Sequence, residues 1–149
     1  MWATSGDVCV SGNAAHLTTQ SKLVPVTSTR VRDPYEPAVW HARMRSAACE
    51  SGDSFFCLAS PFEVRGFDVA GNGLSSHAVD LTPQLTKSTE PLEVDRGAAV
   101  SIDVDSTGKA EWRLRSSGRT IGHADFPPGA PLRLVVYLGT FMDTVELLS

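Results

Sequence analysis

The sequence predicts an all-β chain folded as a two-sheet antiparallel β-sandwich, a single domain over residues 1–149. Three observations carry this. Brief apolar stretches recur along the whole chain with Gly and Pro between them as punctuation. The most regular stretches alternate apolar and polar residues with a period of two, which sends successive side chains to opposite faces of a sheet. Few segments have helical character, and many short strands joined by turn-rich loops stack as two sheets.

Taken in order, the candidate strands are Asp7 to Val10, Ala14 to Thr18, Leu23 to Val26, Val39 to Arg45, Phe55 to Ala59, Ala78 to Leu81, Ala98 to Val104, Glu111 to Arg115, Leu132 to Leu138 and Thr144 to Leu148. In Val39 to Arg45, Trp40, Ala42 and Met44 share one face, the core side. His41, Arg43 and Arg45 share the other. Between Asp80 and Lys87 the chain has room for a turn of helix, kept short by Pro83 and the threonines.

SIDVDSTGKAEWRL, residues 101–114, opens like a calcium loop, with Asp103, Asp105 and Thr107 on alternate positions and Gly108 at the turn. Counted from Asp103, the twelfth position of such a loop requires a bidentate carboxylate and is Leu114; Glu111 comes three residues too early. The flanks instead alternate as a β-hairpin, Val100, Ile102 and Val104 before the turn and Trp112 and Leu114 after it. Asp105 to Gly108 supplies the turn chemistry: short polar side chains that bond back to the main chain, and a glycine free to take positive φ. No metal site is expected here.

At 149 residues the chain buries a full core without staples. Cys9, Cys49 and Cys57 are an odd number without zinc-ligand spacing, so idle thiols in a reducing compartment are expected, and no metal or cofactor. The N-terminus lacks a basic start followed by an apolar run, and no stretch approaches the roughly 20 apolar residues of a membrane span. The expectation is a cytoplasmic, intracellular protein with no membrane partner. With 13 basic against 17 acidic residues the net charge of −4 gives nucleic acid no electrostatic case.

Read together, the strands resemble the SPRY domain, the β-sandwich module of tripartite-motif ubiquitin ligases and SOCS-box adaptors. AAVSIDVDSTGKAEWRLRSSGRTIGHADFPPGAPLRLVVYLGTFMDTVEL is similar to the family's C-terminal succession of strands and turns. Upstream, VWHARM and FFCLAS stand where the family has its tryptophan-containing and small-residue strands. The resemblance is that of a divergent member: His41 replaces the usual acidic residue after the tryptophan, Ser76 and His77 lie where a mid-domain tryptophan is common, and Leu134 replaces a proline. It implies a concanavalin-like jelly roll and a non-enzymatic module that binds a protein or short peptide, with substrate recognition for ubiquitin ligation as one use. It also implies contacts from the final loop at Gly139, Thr140 and Phe141. A carbohydrate-binding, lectin-like sandwich is the alternative.

No catalytic constellation emerges from the residues. Ser76 and His77 are adjacent, so on a strand they point apart, and the G-x-S-x-G elbow is missing. Two other features suggest recognition. The segment RDPYEPAV places Asp33, Tyr35 and Glu36 around two stiffening prolines, a loop expected to converge with 139–141 at one end of the sandwich. Outward-facing Arg43, Arg45, Arg113 and Arg115 would form a basic stripe if their strands lie close together, which suits an acidic or phosphate-bearing ligand.

Overall fold

The alternation read from the sequence closes into two antiparallel sheets. The computed structural model describes residues 1–3, 6–18, 23–45, 54–90, 99–139 and 143–148, the side chain of Arg45 excepted. Among these, thirteen strands follow one another without a helix: β1 (Val8–Ser11), β2 (Ala14–Leu17), β3 (Val24–Val31), β4 (Ala38–Arg45), β5 (Phe55–Ala59), β6 (Val64–Phe67), β7 (Gly73–Ser76), β8 (Gln84–Thr86), β9 (Ala99–Val104), β10 (Lys109–Leu114), β11 (Thr120–Asp125), β12 (Arg133–Leu138) and β13 (Thr144–Leu148). One sheet has seven strands in the order β1-β2-β13-β4-β9-β10-β11, the other six in the order β3-β12-β5-β6-β7-β8.

The hairpin expected at residues 101–114 is present, with Val104 opposite Ala110 and Val100 opposite Leu114. Asp105 Oδ1 accepts from Thr107 N (2.9 Å), Thr107 Oγ1 (2.6 Å) and Lys109 N (3.1 Å), so this carboxylate oxygen is engaged in shaping the turn. The Thr107 hydroxyl, ahead of the other causes, holds the Asp105 carboxyl below its usual range. Gly108 has φ 89°, its carbonyl accepts from Phe126 N at 2.9 Å, and a Cβ there would fall 2.1 Å from Phe126 O. Gly108→Ala is expected to cost about 1 to 2 kcal/mol for the left-handed backbone alone, and more because Phe126 must retreat. A urea titration measures it.

The faces are those of the pattern. Trp40, Ala42, Val100, Ile102, Trp112 and Leu114 are buried between the sheets with Phe56, Leu58, Leu134 and Val136. The strand edges differ in places. β3 runs on to Val31, and β6, β7, β8 and β11 have no counterpart among the sequence-predicted strands. Ala78 to Leu81 is a turn segment, and the helical turn allowed for at 80–87 is replaced by β8. Val135 and Tyr137 are buried on the outer face of the six-stranded sheet, in a second apolar cluster with Phe55, Cys57 and Val64. The segment after β7 folds back over this face, where Val79 packs and its carbonyl accepts from Tyr137 Oη at 2.9 Å. No helix among the described residues is long and apolar enough to cross a membrane.

Candidate functional site: loops at one end of the sandwich

The end where β3 leaves and β4 enters is organised by one buried cation. Arg32, directly after β3, is 2 % exposed. Its Nε donates to the Glu36 carbonyl (2.5 Å), Nη1 to those of Pro128 (3.0 Å) and Ala130 (3.1 Å), and Nη2 to that of Asp105 (2.9 Å). A guanidinium offers five N–H donors in a fixed fork, so one side chain clamps three loops, 32–37, 105–108 and 126–132. Main-chain bonds from Arg32 N to Leu132 O and from Tyr35 N to Pro128 O reinforce it.

On this rigid base Tyr35 is held at φ 64°, a conformation rare for a bulky side chain. Its ring lies against Gly129, where a Cβ would come 3.1 Å from the hydroxyl, and the residue is 67 % exposed. Asp33 and Glu36 are exposed beside it. Two strands along the six-stranded sheet, on the order of 10 Å away at ordinary strand spacing, the β5–β6 turn presents a second aromatic. Ser60 Oγ accepts from Phe62 N (3.2 Å) and Glu63 N (3.1 Å), and Ser60 N donates to Glu63 O (2.9 Å). This tight turn leaves Phe62 83 % exposed.

The outer face of the seven-stranded sheet carries the arginines. β4 and β10 both border β9, so Arg43 lies opposite Ala99, whose carbonyl accepts from Arg115 N, while Arg113 and His41 flank Ser101. Acidic residues are interleaved: Arg113 is ion-paired with Glu111, and Glu146 faces Arg43 in register. His41 Nδ1 and Ser101 Oγ are 2.9 Å apart. Burial, then the charge of Arg115, lowers the His41 pKa, Asp103 opposing and Arg30 adding to the effect. A lowered histidine pKa means that the folded state binds fewer protons than the unfolded one, so stability falls as pH drops through the ordinary value of 6.5. His41→Gln is expected to flatten this part of the curve in thermal melts taken from pH 7 to 5.

The whole architecture matches solved structures of SPRY domains. The TRIM65 PSpry domain superposes with a TM-score of 0.69 at 13% identity, over 96% of this chain and 84% of that one. The SPRY domain of human HERC1 does so with a TM-score of 0.67 at 9% identity, over 95% and 92%. The fold is SPRY-like. The exoplasmic/lumenal domain of VIP36, in a Ca2+- and mannose-bound form, shares the sandwich with a TM-score of 0.53 at 9% identity, over 99% of this chain and 82% of its own. No protein-family model and no curated protein sequence matches the chain.

In this SPRY-like domain Gly139 lies apart from the loop with which it was expected to converge. Val31 pairs with Arg133 at the start of β12, and Val24 with Leu138 at its end. Gly139 therefore sits at the opposite end from Asp33, Tyr35 and Glu36, and Asp143 returns from there, since Thr144 pairs with Arg45. Each strand crosses the whole sandwich, so consecutive loops alternate between the ends. Thr140 and Phe141 lie outside the described residues, as do the Arg45 side chain and Cys49. Ser76 Oγ donates to Ala78 O at 2.7 Å, a turn bond, with His77 exposed beyond it. The sequence reading passed over Arg32 and Phe62. An aromatic after Ser60-Pro61 is a legible turn signal; nothing in the pattern around Arg32 distinguishes a buried arginine from a solvated one.

Proposed function

We propose that this SPRY-like domain is a non-enzymatic protein-interaction module that recognises a short peptide or a loop of a folded partner at the Tyr35 end of the sandwich. The observation that supports it most is the pair Tyr35 and Phe62, two exposed aromatics on turns already stiffened at the same end. Aromatic side chains on preorganised loops lose little entropy on binding and serve as anchors. Asp33 and Glu36 add acceptors for a basic or amide-bearing neighbour of the anchor residue. Gly139 would belong to a separate contact at the far end. The free thiols of exposed Cys9 and buried Cys57 fit an intracellular setting, and substrate recognition for ubiquitin ligation is one role the SPRY resemblance suggests.

A photo-crosslinking amino acid placed at position 35 or 62 should capture the same partner from cell extract. Tyr35→Ala and Phe62→Ala should each weaken binding of that partner about 30-fold, the ratio that corresponds to about 2 kcal/mol. Arg119→Ala, on the β10–β11 turn at the opposite end, is the control. Equal capture from position 119, or unchanged affinity in both aromatic variants, would sink the proposal.

A further inference from the structure

The six-stranded sheet extends past its partner. β6 packs across from β11, but on the same inner face Ser75, Gln84 and Thr86 are exposed. Register fixes two rows on this bare platform: Arg65, Ser75 and Gln84 in one, Phe67, Gly73 and Thr86 in the next. Two clefts, of about 270 and 360 Å³, lie along it and share Arg65 and Ser75, so they form one groove. Its length, roughly that of four strand residues or 13 Å, suits four extended residues of a ligand.

The groove is built on fixed parts. Phe67 is locked edge-on against Trp112, ring centroids 5.0 Å apart. At the far end Asn72 Oδ1 accepts from Ser88 N at 2.8 Å, and Asn72 is itself held by both oxygens of buried Asp68. The guanidinium of Arg65, half-buried at the junction of the clefts, has no ion-pair or hydrogen-bond partner among the described residues. Lys87 adds a second cation, and His77 lines the end nearer Phe62. Among the described residues Glu63 is the only carboxylate lining either cleft, and exposed Leu81 stands beside it.

We infer that this groove binds an extended acidic segment of a protein partner, its carboxylate or phosphate on Arg65 and an apolar neighbour against Leu81. The charge decides the occupant: a half-buried guanidinium with no counter-ion among the described residues is completed by a planar anion that takes two of its N–H groups. Serine, threonine and glutamine side chains around it supply polar contacts for the segment's main chain. This site is made of residues separate from those of the Tyr35 end.

The test is a selection of displayed random heptapeptides on the intact protein, with the most enriched peptide then measured by fluorescence anisotropy. Acidic sequences with an adjacent apolar residue are expected. Arg65→Gln should weaken the chosen peptide at least about ten-fold, and Lys87→Gln less, with wild-type melting temperatures. Exchanging the peptide's glutamate for phosphoserine identifies the anion: retained or tighter binding assigns phosphate as well, lost binding assigns carboxylate alone, and both support the groove. Selection of sequences without acidic enrichment would overturn it, as would unchanged binding by Arg65→Gln. If Tyr35→Ala abolishes binding of the same peptide while Arg65→Gln does not, the Tyr35 end is the acceptor and the groove is refuted.

Discussion

Trp112→Ala is expected to lower the unfolding free energy by about 3 to 5 kcal/mol, visible as a large fall in the urea midpoint. Trp112 is fully buried on β10, and two specific interactions end together when it is removed. The indole Nε1 donates to the Phe56 carbonyl at 2.9 Å, a bond that joins the two sheets directly. Phe67 stacks on its edge at 73° between planes. Gly122, opposite Trp112 in register, leaves the space that the Phe67 ring occupies, a Cβ there falling 2.6 Å from Phe67 Cζ. The cavity cannot be filled from either sheet without moving a strand. Trp112→Phe separates the contributions: it keeps most of the apolar contact and loses the inter-sheet hydrogen bond, for a cost of about 1 to 3 kcal/mol. A midpoint unchanged in Trp112→Ala would show that the facing of β10 is wrong.

Arg32→Ala should cost about 3 kcal/mol or more, read as a fall of about 6 to 12 °C in melting temperature. The reason is that four carbonyls, those of Glu36, Asp105, Pro128 and Ala130, lose their donor at once at a position where water has little access. Methionine in place of Arg32 fills the volume but leaves the carbonyls unpaired, so it should rescue little. Lysine supplies a cation but not the fork, and should fall between. Hydrogen exchange distinguishes a clamp from mere packing: in Arg32→Ala the amides of Tyr35 and Ala130, which donate to Pro128 and Pro127, should lose protection together.

The strands that alternate were legible before any coordinates. β4, β9 and β10 carry apolar residues on one face and polar ones on the other, and the period of two fixes both their existence and their facing. β5 and β12 were found as strands, but their facing was not, because FFCLA and LVVYL are buried on both sides and carry no alternation. β6 and β7 were missed because glycines and hydroxyl residues at positions 66, 73 and 75–76 read as loop, and β8 because its stretch read as room for a helical turn; pairing supplies what local propensity does not. Within the candidate site, the stiff presentation of Tyr35 was visible in Asp33-Pro34-Tyr35-Glu36-Pro37. Its separation from Gly139 was not, since the end of the sandwich at which a loop emerges depends on how many strands precede it: four strands between the two loops had gone uncounted and Ala78 to Leu81 had been counted as one, an odd net error that moves the second loop to the other end.

The two strands nearest the C-terminus occupy the interior of their sheets. β12 lies between β3 and β5, and β13 between β2 and β4, each joining strands laid down roughly a hundred residues earlier. Until residues 133–148 are in place, β3 has no partner to connect it to β5, and β2 none to connect it to β4. A domain in which the preceding strands form first therefore holds four open strand edges until these two strands arrive and close both sheets together. The waiting intermediate is exposed to wrong pairing with other chains, and its lifetime is set by how quickly β12 and β13 find two slots on opposite sides of the core.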